Sequence, residues 1–201
     1  VMDGFAKFLS SELPILQITW ARYFFTVVFI LPIMFFFFNK QLVWSDKPKL
    51  QILRGLILLS ANIFFFYSIS IISLAKALTL AFIAPLIVTA FSPLFLGEKV
   101  GFRRWTAVTI GFIGSLVVIR PGFLELNIAS LAALCTGFLY GFYLIITRKL
   151  STSDNPLLTL LITGLVGATL VSLVIPFYWI KPTLNQWSLM AGIGAFACIG
   201  H

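Results

Sequence analysis

Three ionisable residues stand where such residues are costly. Asp3, Lys7 and Arg22 lie in the stretch MDGFAKFLSSELPILQITWAR, Met2 to Arg22, among mostly apolar neighbours. Asp3 and Lys7 are four apart and so share a helix face; Arg22 falls about two turns into the helix that returns after Pro14, with Thr19 and Thr26 on its side. A charge at depth in lipid is costly unless it faces a partner or water, so the three must line an interior. Two chemistries fit. One is an ion-pair network stapling the first two helices, with Lys7 snorkelling outward. The other has Arg22, or Lys7, binding an anionic group of a solute or forming an outer gate. The two are compatible, because a pair that breaks when a solute arrives is both glue and switch.

Further along, LAFIAPLIVTAFSPLFLGEK puts Pro85, Thr89, Ser92 and Pro93 on one helix face. Proline frees a carbonyl one turn back, and a hydroxyl can re-satisfy it. Such a pattern gives either a simple kink or a broken helix beside a solute cavity. In ASLAALCTGFLYGFYLIITRK, Thr136, Tyr140, Tyr143 and Thr147 form one stripe, with Gly137 and Gly141 beside it. The glycines read as a close helix contact and the hydroxyls as a cavity lining, although a tyrosine near a helix end is also an ordinary interface anchor. Asn62 and Tyr67, with Ser68 and Ser70, are weaker candidates, as are Thr159 and Thr163.

Catalytic chemistry finds no such support. There is no Gly-rich phosphate loop, no His/Cys/carboxylate cluster for a metal, no G-x-S-x-G serine and no pair of intramembrane carboxylates. The sequence therefore predicts no catalytic residue, no metal site and no cofactor. Cys135 and Cys198 are far apart inside apolar stretches and read as packed thiols.

The elements that must position these residues follow from composition. Of 201 residues 60% are hydrophobic and 10% charged, with a mean hydropathy of +1.07, so lipid rather than water must cover the surface. Apolar runs of about 20 residues match helices crossing a ~30 Å hydrocarbon layer, not the alternation of a β-barrel. The reading is an all-α, polytopic membrane helix bundle with complete spans over 15–38, 52–72, 76–96, 105–119, 128–148 and 157–180. The residues 1–9 and 187–201 read as cut helices, which makes about eight in all and predicts a fragment of a longer protein. The net charge of +8 does not point to nucleic acid, because the basic residues sit at alternate helix ends. Nine of them (Lys40, Lys47, Lys49, Arg54, Lys99, Arg103, Arg104, Arg148 and Lys149) fall on one side, and Lys76, Arg120 and Lys181 on the other. That bias predicts that the 39–51 loop is cytoplasmic.

The chain also resembles itself. FLSSELP, Phe8 to Pro14, matches KLSTSDNP, Lys149 to Pro156, and PKL at Pro48 matches PTL at Pro182. Each copy then has five helices, an odd number, so the copies enter the membrane in opposite directions, as in secondary transporters.

Two stretches carry a family resemblance. MDGFAKFLSSELPILQITWARYFF resembles the opening of EamA-type transporters of the drug/metabolite transporter superfamily. The block Ser73 to Gly122, with its mid-helix Pro-Leu, its Leu-Gly-Glu-Lys end and its terminal Pro, is similar to the family's most recognisable segment. The resemblance implies a ten-helix inverted-repeat transporter of two five-helix EamA repeats, residues 1–122 and 123–201 here, both truncated. It implies alternating access in a bacterial cytoplasmic (inner) membrane. The expected activity is secondary active or facilitative transport of a small metabolite, amino-acid-like or nucleoside-type, with S-adenosylmethionine among the candidates. Asp3, Lys7 and Arg22 would line the substrate pathway or gate; Asn62, Tyr67, Pro85, Thr89, Thr136, Tyr140 and Tyr143 would line the cavity. The partners expected are a solute and the bilayer, with the chain a monomer or homodimer. The alternative from another class is a non-transporting scaffold or assembly subunit whose charges are only interhelical glue.

Overall fold

The computed structural model describes residues 2–37, 45–119, 127–151 and 153–199, and among these all regular structure is helical. In chain order come α1 (Met2–Leu9), α2 (Ile15–Phe37), α3 (Pro48–Ile71), α4 (Leu74–Ala81), α5 (Ala84–Leu96), α6 (Phe102–Ile119), α7 (Ile128–Leu150), α8 (Pro156–Val174) and α9 (Leu184–Ile199). A 3-10 turn at Ile175–Tyr178 extends α8. Helix ends are set locally. Asn155 caps α8, its side chain accepting from the Leu157 N–H at 2.9 Å, and Pro156 follows where its missing N–H costs nothing. Asn127 caps α7 through the Ser130 N–H at 2.9 Å. Gly97 ends α5 with φ 68°, a left-handed conformation that a side chain would strain.

Among the described residues five segments are long and apolar enough to cross a membrane: Ile15–Phe36, Pro48–Ile71, Leu74–Leu96, Ile128–Leu150 and Pro156–Tyr178. Phe35 at 84% exposure and Leu173 at 72% show the apolar faces such helices turn to lipid. The chain is a multi-pass membrane protein. The remaining predicted span forms α6, a helix opening on Arg103 and Arg104, apart from those five.

The 76–96 stretch is two helices rather than one. α4 stops at Ala81 and α5 starts at Ala84, because the Pro85 ring would collide with the Ala81 carbonyl and has no N–H to give it. The hydroxyls nearby do not bond the freed carbonyls. Thr89 Oγ donates to Pro85 O at 2.8 Å and Ser92 Oγ to Val88 O at 2.6 Å.

Packing separates the chain into two compact units, Val1–Leu59 with Leu150–His201, and Ser60–Lys149. In the first, α2 packs against α8 and α9, and α1 against α9. Lipid tails are as apolar as leucine, so close approach at small residues holds these contacts rather than escape from water. A Cβ on Gly167 would enter the Tyr23 ring, one on Gly164 would meet Val27 at 2.8 Å, and Gly55 of α3 sits against Val166. In the second unit, α7 presents Gly137 and Gly141 to the broken segment. A Cβ on Gly137 would lie 2.7 Å from Ala81 O, and one on Gly141 2.7 Å from Ile87. The break is thus seated directly on the glycine pair. Glu98 at the end of α5 pairs with Arg148 at 2.9 Å and Arg104 at 3.7 Å.

Candidate functional site

Arg22 sits seven residues into α2, about 10 Å from its start at 1.5 Å per residue. It is 8% exposed. Among the described residues no group lies within hydrogen-bonding or ion-pairing distance of its guanidinium. Instead it lines a void between helices of the first unit, with Thr26 on α2, Leu58 on α3, Thr163 and Gly164 on α8, and Ala197 on α9. The void has room for about one water molecule. Among the described residues no carboxylate lines it.

A second cation stands behind this wall. Arg54 is 3% exposed, six residues into α3, and its Nη2 donates to Thr159 O at 2.9 Å and to Thr163 Oγ. The hydroxyl that receives Arg54 belongs to Thr163, a residue that lines the void, and that hydroxyl in turn donates to Thr159 O at 2.8 Å. The Arg22 fork is thus the donor set beside the void.

Beyond Arg54 a buried polar network closes that end of the unit. Asp154 Oδ2 accepts from Ser45 Oγ and from Gln51 Nε2, the latter at 2.6 Å, and Gln51 Nε2 also donates to Thr159 Oγ at 3.0 Å. Burial pushes the Asp154 carboxyl up, but the hydrogen bonds from Ser45, Gln51, Ser153 and the Asp46 backbone outweigh it and leave it below the ordinary aspartate value. At the opposite end, Gln186 Nε2 donates to Glu12 Oε2 at 2.6 Å. There Gln17, fully buried, holds the Ile180 backbone both ways, donating at 2.8 Å and accepting at 3.2 Å. Trp20, Trp179 and Trp187 cluster at this end, and Trp20 Nε1 donates to Ser172 at 2.9 Å.

Asp3 and Lys7 lie half-buried on α1, whose Ala6 and Leu9 face inward and whose Phe5 meets Phe196 of α9 at 6.0 Å. Among the described residues Asp3 forms an ion pair with neither Lys7 nor Arg22. Thr159 and Thr163 belong to the first unit, with Thr163 on the void, and the remaining candidates belong to the second. Thr89 and Thr136 are buried, Thr136 donating to Ala132 O at 2.9 Å and Ala61 O at 3.3 Å. Tyr143 is buried and stacks on the exposed Tyr140, ring centroids 5.4 Å apart. Asn62 is buried, Tyr67 half-buried and Pro85 exposed.

Reading the sequence misses Arg54, Gln51 and Asp154 as interior groups. A span starting at 52 leaves Arg54 among the loop cations; Pro48, a strong helix opener, is the signal that places Arg54 in the second turn.

Comparison with known proteins resolves the family. The model of the EamA-like transporter family matches residues 3–120. The chain belongs to the EamA-like transporter family. The S-adenosylmethionine uptake transporter of Rickettsia bellii is 25% identical over 193 residues, covering 96% of this chain and 66% of that protein. The riboflavin transporter of Vibrio cholerae is 24% identical over all of this chain and 69% of its own length. The pseudopaline exporter of Pseudomonas aeruginosa is 27% identical, over all of this chain and 71% of its own. This EamA-family chain thus spans about two thirds of the length of such relatives. A crystal structure at 17% identity superposes with a TM-score of 0.72 over 95% of this chain and 68% of that one, so the helical fold is shared.

Proposed function

We propose that the full-length protein is an alternating-access carrier of a small organic solute in a bacterial cytoplasmic membrane, and that Arg22 receives an anionic group of that solute. The observation carrying this is Arg22, buried about 10 Å into α2 and lining a void to which no described residue brings a counterion. A glue residue would have its partner in place; a docking residue waits for one. A void for about one water cannot hold a metabolite, so the arrangement described is a closed one, and the four helices around it must separate to load. The relatives' names support a small organic solute, S-adenosylmethionine and riboflavin among the candidates, and support either direction of movement. With Arg54 inside the bundle the basic bias is eight against three, which still supports a cytoplasmic 39–51 loop. Two inverted copies, 1–122 and from 123 onward, account for the matched segments.

The test is counterflow into proteoliposomes with the full-length protein, across labelled amino acids, nucleosides, riboflavin and S-adenosylmethionine, comparing wild type, Arg22→Lys and Arg22→Gln. One compound should accumulate with wild type, poorly with Arg22→Lys, whose point charge lacks the fork, and not with a folded Arg22→Gln. Equal accumulation by Arg22→Gln removes the docking role. No accumulation of any compound, with Arg22→Gln failing to fold, supports a structural membrane subunit instead.

A further inference from the structure

Glu12 and Asp154 hold matching places, each two residues before the proline that opens a long helix, Pro14 ahead of α2 and Pro156 at α8. Gln51 and Gln186 match as well, in the first turn of α3 and α9 shortly after Pro48 and Pro182. The structure joins these four crosswise. Glu12 takes Gln186 and Asp154 takes Gln51, each at 2.6 Å between carboxylate oxygen and amide nitrogen. Behind each pair, the residue three positions past the proline makes the next tie: Gln17 to the Ile180 backbone, and Thr159 to Gln51 and Arg54.

These ties sit at opposite ends of the helices that line the void. Glu12 precedes the start of α2, whereas Gln51 lies on α3 beyond its far end. The first pair joins the entrance of α2 to that of α9, the second the entrance of α8 to that of α3. α2, α3, α8 and α9 are the four helices lining the void beside Arg22. Parting α2 from α9 at the first end breaks the Glu12–Gln186 tie, and parting α8 from α3 at the other breaks the Asp154–Gln51 tie. Both pairs are closed, and the void is one water wide.

We infer that Glu12–Gln186 and Asp154–Gln51 are reciprocal gate latches, one on each membrane face, opened alternately as solute passes; the inference rests on the carrier reading above. The latch chemistry suits the task. A carboxylate–amide hydrogen bond is charge-assisted and short, yet both partners are well served by water once separated, so it opens without stranding a charge in lipid. The two are not equal. Asp154 and Gln51 are buried and joined by Ser45 and Thr159, whereas Glu12 is exposed and water competes for it. The Asp154 gate is the tighter one.

A single reporter tests both gates. Cys135 and Cys198 are replaced by serine in the full-length protein, Ala197→Cys is introduced in the wall of the void, and a membrane-impermeant maleimide is applied to each face of oriented vesicles. Glu12→Ala and Gln186→Ala should raise labelling from the Glu12 face at least about tenfold, the worth of one hydrogen bond to a charged group, and Asp154→Ala and Gln51→Ala from the opposite face. The exchanged pairs, Glu12→Gln with Gln186→Glu and Asp154→Asn with Gln51→Glu, should return labelling toward the wild-type rate, which a merely structural residue would not do. Should the Ala variants fold poorly, the exchanged pairs still decide, since latches predict folded protein with wild-type labelling. Latch variants that leave labelling unchanged, or all raise it from one face, overturn the inference. If Arg22-dependent counterflow persists in that case, the carrier reading survives without latches; if no counterflow is seen at all, both fall.

Discussion

The contact between α2 and α9 can be probed at one atom. A Cβ on Gly194 would fall onto Phe25, 2.9 Å from its carbonyl carbon and 3.0 Å from its Cα. Those are backbone atoms, so no rotamer change relieves the overlap. The Phe25 Cβ, equally fixed by the backbone, is nearer still, and ordinary carbon contacts are about 3.5–4.0 Å, so Gly194→Ala must push the two helices apart by more than about 1 Å. Overpacking of this kind costs about 1–3 kcal/mol, and the alanine returns about 0.5–1 kcal/mol of helix propensity. A net loss of about 1–2 kcal/mol corresponds to a melting temperature lower by roughly 2–8 °C for a chain of this size. The contrast lies on α6, where a Cβ at Gly111 or Gly114 meets nothing within 4 Å, so Gly111→Ala and Gly114→Ala should melt no lower than wild type. Thermal unfolding of the purified protein in detergent, read as loss of the monodisperse size-exclusion peak, compares the three. If Gly194→Ala melts with wild type, or all three fall together, the backbone contact between α2 and α9 is not as described.

The Asp154 carboxyl lies below the ordinary aspartate value, so its contribution is fully present above that value and is lost as pH falls through the lowered one; wild-type melting should decline below about pH 4, and Asp154→Asn should show a flatter profile there. Arg54→Gln removes the Nη2 bonds to Thr159 O and Thr163 Oγ inside the bundle and should cost about 1–3 kcal/mol by the same melting assay. Thr136→Val gives up a bond to Ala61 O that is long at 3.3 Å and should cost no more than about 1 kcal/mol; a larger loss would mean that this hydroxyl does more than join α7 to α3.

How much of this is readable from the sequence depends on whether the deciding partner is near in the chain. The spans are legible because lipid demands unbroken apolar runs, and Pro48, Asn155 and Pro156 mark helix starts from within. The 76–96 stretch is legible as a proline problem but not as two helices. What keeps the break is Gly137, more than fifty residues on, which lets α7 press against Ala81. The Asp3, Lys7 and Arg22 spacing is consistent with a charge network, yet spacing on one helix says nothing of which neighbour that helix meets. α1 packs on α9, and Arg22 turns to a void bounded by α8. The closing network of Ser45, Gln51, Asp154 and Thr159 is invisible for the same reason, since its ties span more than a hundred residues.

The make-up of the void follows from the proposed repeat rather than from any local rule. Counted from the opening prolines, Arg22 is eight residues past Pro14 and Gly164 eight residues past Pro156. The two equivalent positions line the same void from α2 and α8. A strictly symmetric chain would set two guanidiniums against each other across a space one water wide, or leave two glycines with nothing to bind a solute. On the proposed repeat the two copies divide the work: one supplies the charge and the other the room for it. A large residue at 164 would fill the place that Arg22 faces, which is why the glycine matters there for the charge opposite it as much as for the close approach to Val27.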